Sequence, residues 1–192
     1  MPNHCTNTLT ITGPAKEIAR FIKRAKSKEE SLDANAFIPY PAKFRRMDER
    51  ANQQRIESNK DREKFQKGEI TQVQWDELWE TKHSKITDGF SGGGHDWCIK
   101  HWGTKWGMND TQILTQEKKE VVYSFSSAWS PPLPVIQKMG ELFPHCTVRL
   151  EYREEGCAFE GVFEMQQGQI TENESKNIEE PEIVIEMRRG KR

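Results

Sequence analysis

Apolar residues are in short supply in this sequence. They make up 34% of its 192 residues, against ~45–50% in ordinary globular domains, a gap wider than differences in counting explain. Part of the chain therefore has to lie outside any packed core. Charged residues fill the deficit at 31%, yet neither sign prevails and the formal net charge is −1. That excludes a global electrostatic pull toward nucleic acid or an anionic membrane, so binding of that kind would need a local patch. There is no run of about 18 apolar residues, so no membrane-spanning helix and no membrane partner are expected. The opening Met1-Pro2-Asn3-His4-Cys5 lacks a basic segment followed by an apolar one. A signal peptide is not expected there, and a cytoplasmic location is. The four cysteines, Cys5, Cys98, Cys146 and Cys157, form no C-x-x-C pair and read as reduced thiols.

Catalytic signatures are missing as well. There is no G-x-S-x-G, no phosphate-binding P-loop and no H-E-x-x-H. Gly92-Gly93-Gly94 is not followed by Lys-Ser/Thr, so it reads as a hinge rather than a phosphate cradle. His95-Asp96 near Cys98 is the one nucleophile pairing in prospect, and closeness in sequence rarely supplies the geometry. Cys98-x-x-His101 has metal-ligand spacing, with His4-Cys5, His95 and His145-Cys146 as remote complements, but the second half is no clean pair. The expectation is a chain with no enzymatic activity, no cofactor and no metal.

What is present has clear periodicity. In Thr6–Thr12, Leu9 and Ile11 alternate with threonines, as on a half-buried strand. Gly13-Pro14 ends it, and proline is tolerated where a helix begins. Ile18, Phe21, Ile22 and Ala25 then fall at helical spacing. Phe37-Ile38-Pro39-Tyr40-Pro41 is an extended link. From Ala42 the chain turns very polar, with Phe44, Met47, Ile56 and Phe65 as isolated apolar contacts and Thr71 as the cap of a second helix carrying Val73, Trp75, Leu78 and Trp79. Residues from about 42 to 90 thus read as a charged helical insertion. His95–Trp102 suits a short helix and Asn109-Asp110 a turn. Thr111–Thr115 and Val121–Ser127 suit neighbouring strands, with Val121, Tyr123 and Phe125 on one face. Val135, Ile136, Met139, Leu142 and Phe143 line a further helix; Cys146–Arg153 and Phe159–Met165 are strands. The order β-α-(insertion)-β-β-α-β, plus a terminal strand, is that of a ferredoxin-like α+β sandwich with two helices on one face of an antiparallel sheet. Residues 1–169 form that domain. Residues 170–192 read as a charged, mobile tail, with Glu172–Glu186 acidic and Ile183-Val184-Ile185 as one apolar patch.

Four landmarks in fixed order carry a family resemblance. They are the opening Met1-Pro2-Asn3-x-Cys5-x-Asn7 before Thr10-x-Thr12-Gly13-Pro14; His101-Trp102-Gly103-Thr104-Lys105-Trp106; Ala128-Trp129-Ser130-Pro131-Pro132; and Tyr152-x-Glu154-x-Gly156-x-x-Phe159-x-Gly161. Over residues 1–161, apart from the insertion, the sequence resembles the Api-like proteins of bacterial phages, plasmids and genomic islands. His4 stands where tryptophan is expected and His101 where asparagine is. The resemblance implies a ferredoxin-like domain and a mobile-element origin, and it brings no catalytic or ligand residues with it. Accessory proteins of that origin often bind a host factor, including defence machinery, which sets the expectation of a protein-binding, counter-defence role by analogy.

Two surfaces are candidates for such contact. Trp102, Lys105 and Trp106 interleave aromatic and cationic side chains beside a glycine, and Trp129 lies in the next landmark. Arg45, Arg46, Arg50 and Arg55 give the insertion a locally positive stretch, diluted by Asp48, Glu49 and Glu57. The alternative reading is single-stranded nucleic-acid binding by these same basic and tryptophan residues. The sheet face is a poorer candidate: Lys119–Phe125 lacks the glycine and exposed aromatics of an RNA-recognition strand, so Tyr123 and Phe125 are expected to face the helices.

Overall fold

The computed structural model describes residues 3–83 and 87–178. Strand β1 (His4–Thr12) alternates strictly: Cys5, Asn7, Leu9 and Ile11 are buried and the threonines between them are not. Helix α1 (Ala15–Ala25) follows and buries Ile18, Phe21 and Ala25. The ring of Phe21 meets Phe143 at 5.1 Å, Phe37 at 5.6 Å and Tyr123 at 6.2 Å. That aromatic cluster joins both core helices to the sheet.

The sheet continues with β2 (Asn109–Gln116) and β3 (Glu120–Ala128), then β4 (Thr147–Glu154) after a helix. Two further strands, β5 (Phe159–Gln166) and β6 (Gln169–Asn177), complete it. All neighbouring pairs are antiparallel, in the order β2-β3-β1-β4-β5-β6. The first four strands have the ferredoxin-like arrangement, and β5–β6 is a hairpin added beyond β4. Val121, Tyr123 and Phe125 point into the core, as their alternation requires. The later helix, Leu133–Leu142, packs Val135, Ile136 and Met139 against the same sheet face as α1.

Among the described residues the insertion is two helices, α2 (Ala42–Gln66) and α3 (Gln72–Leu78), with wide turns at Trp79–His83 and Phe90–Gly94; α4 (His95–Trp102) then returns to the core, burying Cys98 and Trp102. The Leu133–Leu142 helix is therefore α5. Thr71 caps α3 as expected, its hydroxyl accepting from the Gln74 N–H at 3.3 Å. Few residues of α2 are buried, Phe44 and Ala51 among them. Polar bonds hold the rest: Asp48 accepts from the N–H groups of Gly89 (2.8 Å) and Phe90 (3.2 Å), and Arg55 pairs with Asp88 at 3.0 Å. Phe65 stacks on Trp75 at 5.7 Å, closing the far end. The triple glycine belongs to the return turn, with Gly93 at φ +113°.

Two expectations need correction. Asn109-Asp110 is no free turn; both residues open β2, with Asp110 in a left-handed bulge at φ 53°. Residues 170–177, assigned to the tail on composition, belong to β6. An edge strand needs no apolar face when its ladder and ion pairs suffice. Here Arg149 bonds Glu164 at 3.0 Å and Glu172 at 2.6 Å, and Lys176 pairs with Glu160 at 3.3 Å. The network pushes the Arg149 guanidinium pKa up through its bonds to Glu172 and Glu164. The patch Ile183-Val184-Ile185 lies outside the described residues.

Candidate partner-binding surface at one end of the sheet

The landmark residues, distant in sequence, meet where β1 begins and β3 and β4 end. Cys5 pairs with Ser127 on one side and with Glu154 on the other. Buried Asn7 donates to the Ser127 hydroxyl at 2.9 Å, and Ser127 donates to the Ser130 carbonyl at 2.8 Å. Thr104 is fully buried; its hydroxyl donates to the Ala128 carbonyl at 2.8 Å and accepts from the Ala128 N–H at 3.0 Å. Ser130 donates to the Gly103 carbonyl at 2.6 Å. Gly103 caps α4 at φ +77°, and a Cβ there would sit 2.7 Å from Pro134 Cδ. Two landmarks are thus one clamp. Thr104→Val strands a buried donor and a buried acceptor, and we expect it to cost about 2–4 kcal/mol in chemical denaturation; Thr104→Ser should cost far less.

The clamp holds Trp129 in a conformation bulky residues avoid, φ +70°, with its backbone N–H donating to the Asn3 carbonyl at 3.0 Å. Its side chain is 47% exposed. Opposite, Glu154 is buried, accepting from the Gly156 N–H at 3.1 Å and from the Cys157 N–H. The carboxylate pins the β4–β5 turn. Nothing in the sequence marked Asn7, Ser127 and Glu154 as buried polar residues, though all lie in or beside the landmarks.

The remaining candidate residues divide. Trp102 is only 5% exposed; its indole N–H donates to the Ile38 carbonyl at 2.8 Å and its ring meets Trp97 at 5.4 Å. It is a core residue, contrary to its expected contact role, because a large ring with a satisfied N–H is most stable away from water. Lys105 lies over the Trp106 ring at 5.2 Å, and both are half-buried. Trp106 helps line a cleft of about 440 Å³ where the insertion meets the core, together with Tyr40, Arg45, Asp48, Cys98 and Trp102. Its polar groups are occupied by the fold: Arg45 donates to the Tyr40 carbonyl at 3.3 Å and Asp48 holds the return turn. Burial, then Asp48, pushes the Tyr40 hydroxyl up to about 12. Burial pushes the Cys98 thiol up to about 11, away from the thiolate a nucleophile needs. His95 is bonded to Asp96 at 3.0 Å, and His101 stacks on Trp97 at 4.7 Å.

The four arginines do not make one patch. Arg45 turns to Tyr40 and Arg55 to Asp88. Arg46 and Arg50 are exposed and one helical turn apart. Among the described residues, no group of three or more His, Cys, Asp or Glu is placed to hold a metal. No helix there is long and apolar enough to cross a membrane.

Comparison with known proteins bears on the fold and the family. Residues 101–188 match the family model described as the ferredoxin-like domain in Api92-like protein. The crystal structure of a protein api92 from Yersinia pseudotuberculosis superposes with a TM-score of 0.52 at 14% identity, covering 94% of this chain and 99% of that one. No curated protein matches. The matched segment contains three of the four landmarks, including the whole Thr104–Ala128 clamp, and over residues 101–188 the chain is similar to the ferredoxin-like domain of Api92-like protein.

Proposed function

We propose that this chain is a non-catalytic, cytoplasmic accessory protein of a mobile element that binds a host protein or protein–nucleic acid complex, with counter-defence as its role. Trp129 carries the reading. A bulky residue in the left-handed region costs on the order of 1–3 kcal/mol. The chain sustains that with bonds from Asn3, Thr104, Ser127 and Ser130, yet leaves half the indole in water. Tryptophan is enriched among the few residues that carry most of the binding energy of protein interfaces. Lys105 and Trp106 follow Thr104 of the same clamp in sequence, with Lys105 over the Trp106 ring.

The test is affinity capture from a bacterial host extract with mass spectrometry. A specific partner should be retained by the native chain and by Gln137→Ala, a change at an exposed position of α5. Trp129→Ala should weaken it about thirtyfold or more, with thermal stability unchanged or raised. No protein above background, or equal retention by Trp129→Ala, rejects the reading. A second reading, single-stranded nucleic-acid binding, is favoured by the adjacent exposed Arg46 and Arg50. It requires oligonucleotide affinity that falls steeply with salt and drops in Arg46→Ala/Arg50→Ala. The sheet's open face gives that reading no help: Arg149 is paired with Glu151, Glu164 and Glu172, and Arg153 and Lys176 with Glu160.

A further inference from the structure

At the opposite end of the sheet, a cleft of about 800 Å³ separates α1 from the β2–β3 turn. Ala15, Ile18, Ala19 and Ile22 form its α1 wall, and Gln116, Glu117 and Lys118 its other bank. Alanines four residues apart make that helix surface shallow, so a second helix can approach closely. Lys23 and Lys26 stand at the α1 end of the cleft and Lys118 across from them. The molecule forms many ion pairs elsewhere, Arg20–Glu17 on α1 included. Yet these three lysines have no ion-pair partner among the described residues. Among the described residues Glu117 is the one acid in the lining. The cleft therefore combines an apolar floor with uncompensated positive charge on both banks.

We infer that this cleft docks an amphipathic helix with acidic flanks, contributed by a protein partner. Apolar side chains at helical spacing would cover Ala19 and Ile22, and carboxylates beside them would neutralise Lys23, Lys26 and Lys118. Among the described residues no aromatic side chain lines the cleft, so none of them stacks a nucleobase, and the apolar floor has no use for a phosphate backbone. The inference does not depend on Trp129, which lies at the other end of β1 and β3.

The probe is a synthetic helical peptide of about 18 residues, with leucines on one face and glutamates on both flanks; a lysine-flanked twin is the control. Binding is read by fluorescence anisotropy, and its location by amide shift changes in the full chain. The acidic peptide should bind and shift Ala15, Ala19 and Ile22; the basic twin should not. Lys23→Glu/Lys118→Glu should weaken binding at least about tenfold, and the neutral Lys23→Gln/Lys118→Gln should fall between. Both pairs change exposed side chains, and thermal melts confirm folding. No binding at low salt, equal binding of both peptides, or shifts confined elsewhere overturns the assignment. So does an oligonucleotide that binds this cleft in preference to the acidic peptide. Loss of the Trp129-dependent partner leaves this result untouched, and the converse also holds, so the two readings fail separately.

Discussion

Trp102→Ala should be the most damaging single change in the chain, costing about 3–5 kcal/mol. For a protein of this size that is a fall in melting temperature of roughly 6–20 °C. The indole fills the seam between insertion and core, in contact with Tyr40 at 5.8 Å and Trp97 at 5.4 Å. Its removal leaves a cavity and strips the Ile38 carbonyl of its donor at once. Trp102→Phe keeps most of the volume and loses the hydrogen bond, so it should cost about 1–2 kcal/mol. Differential scanning calorimetry on the three proteins separates the two contributions. Should Trp102→Ala melt like the native chain and lose only its partner, the residue is a contact after all and the description of this seam is wrong.

Gly161→Ala should release the outer strand. A Cβ at Gly161 would overlap the Glu174 carbonyl of β6 and the Tyr152 hydroxyl. Neither neighbour moves easily. The carbonyl is backbone within the ladder, and Tyr152 is buried with its ring against Phe159 at 6.2 Å. The Tyr152 hydroxyl also donates to that same Glu174 carbonyl at 3.4 Å. Overpacking of this kind costs about 1–3 kcal/mol, and β6, an edge strand, is where it is relieved most cheaply. Amide exchange across residues 170–177 should therefore accelerate at least about tenfold, while β1 and β3 stay protected. Gly161→Ala/Tyr152→Leu removes the phenol and should recover part of the loss. Uniform acceleration across all six strands would mean that the hairpin and the core unfold as one unit.

These two predictions give physical content to landmarks that resemblance alone leaves unexplained. Tyr152 and Gly161 seat β6, Glu154 and Gly156 pin the β4–β5 turn, and Gly103, Thr104, Ala128 and Ser130 lock α4 to the end of β3. In both cases the residues hold backbone rather than chemistry. What they leave outside, above all the Trp129 indole, is where function is to be sought.

The alternation of Leu9 and Ile11, of Val121, Tyr123 and Phe125, and of Val148, Leu150 and Tyr152 was legible without coordinates. So was the helical spacing of Ile18, Phe21 and Ala25. Burying one face of a strand or one stripe of a helix is a local demand, and composition carries it. The core elements, their order and the polar excursion at about 42–90 follow from that alone. Strand β6 was not legible, because its Glu172 and Lys176 are stabilised by Arg149 and Glu160 on other strands and look like solvated tail in isolation. Nor did spacing reveal which tryptophan is inside. Trp102 and Trp129 belong to similar glycine- and serine-flanked motifs; an accessible carbonyl at Ile38 takes one inward, and the clamp through Thr104 and Asn3 forces the other into the open. Partners drawn from 24 to 126 residues away made that choice, through hydrogen bonds that no local pattern encodes.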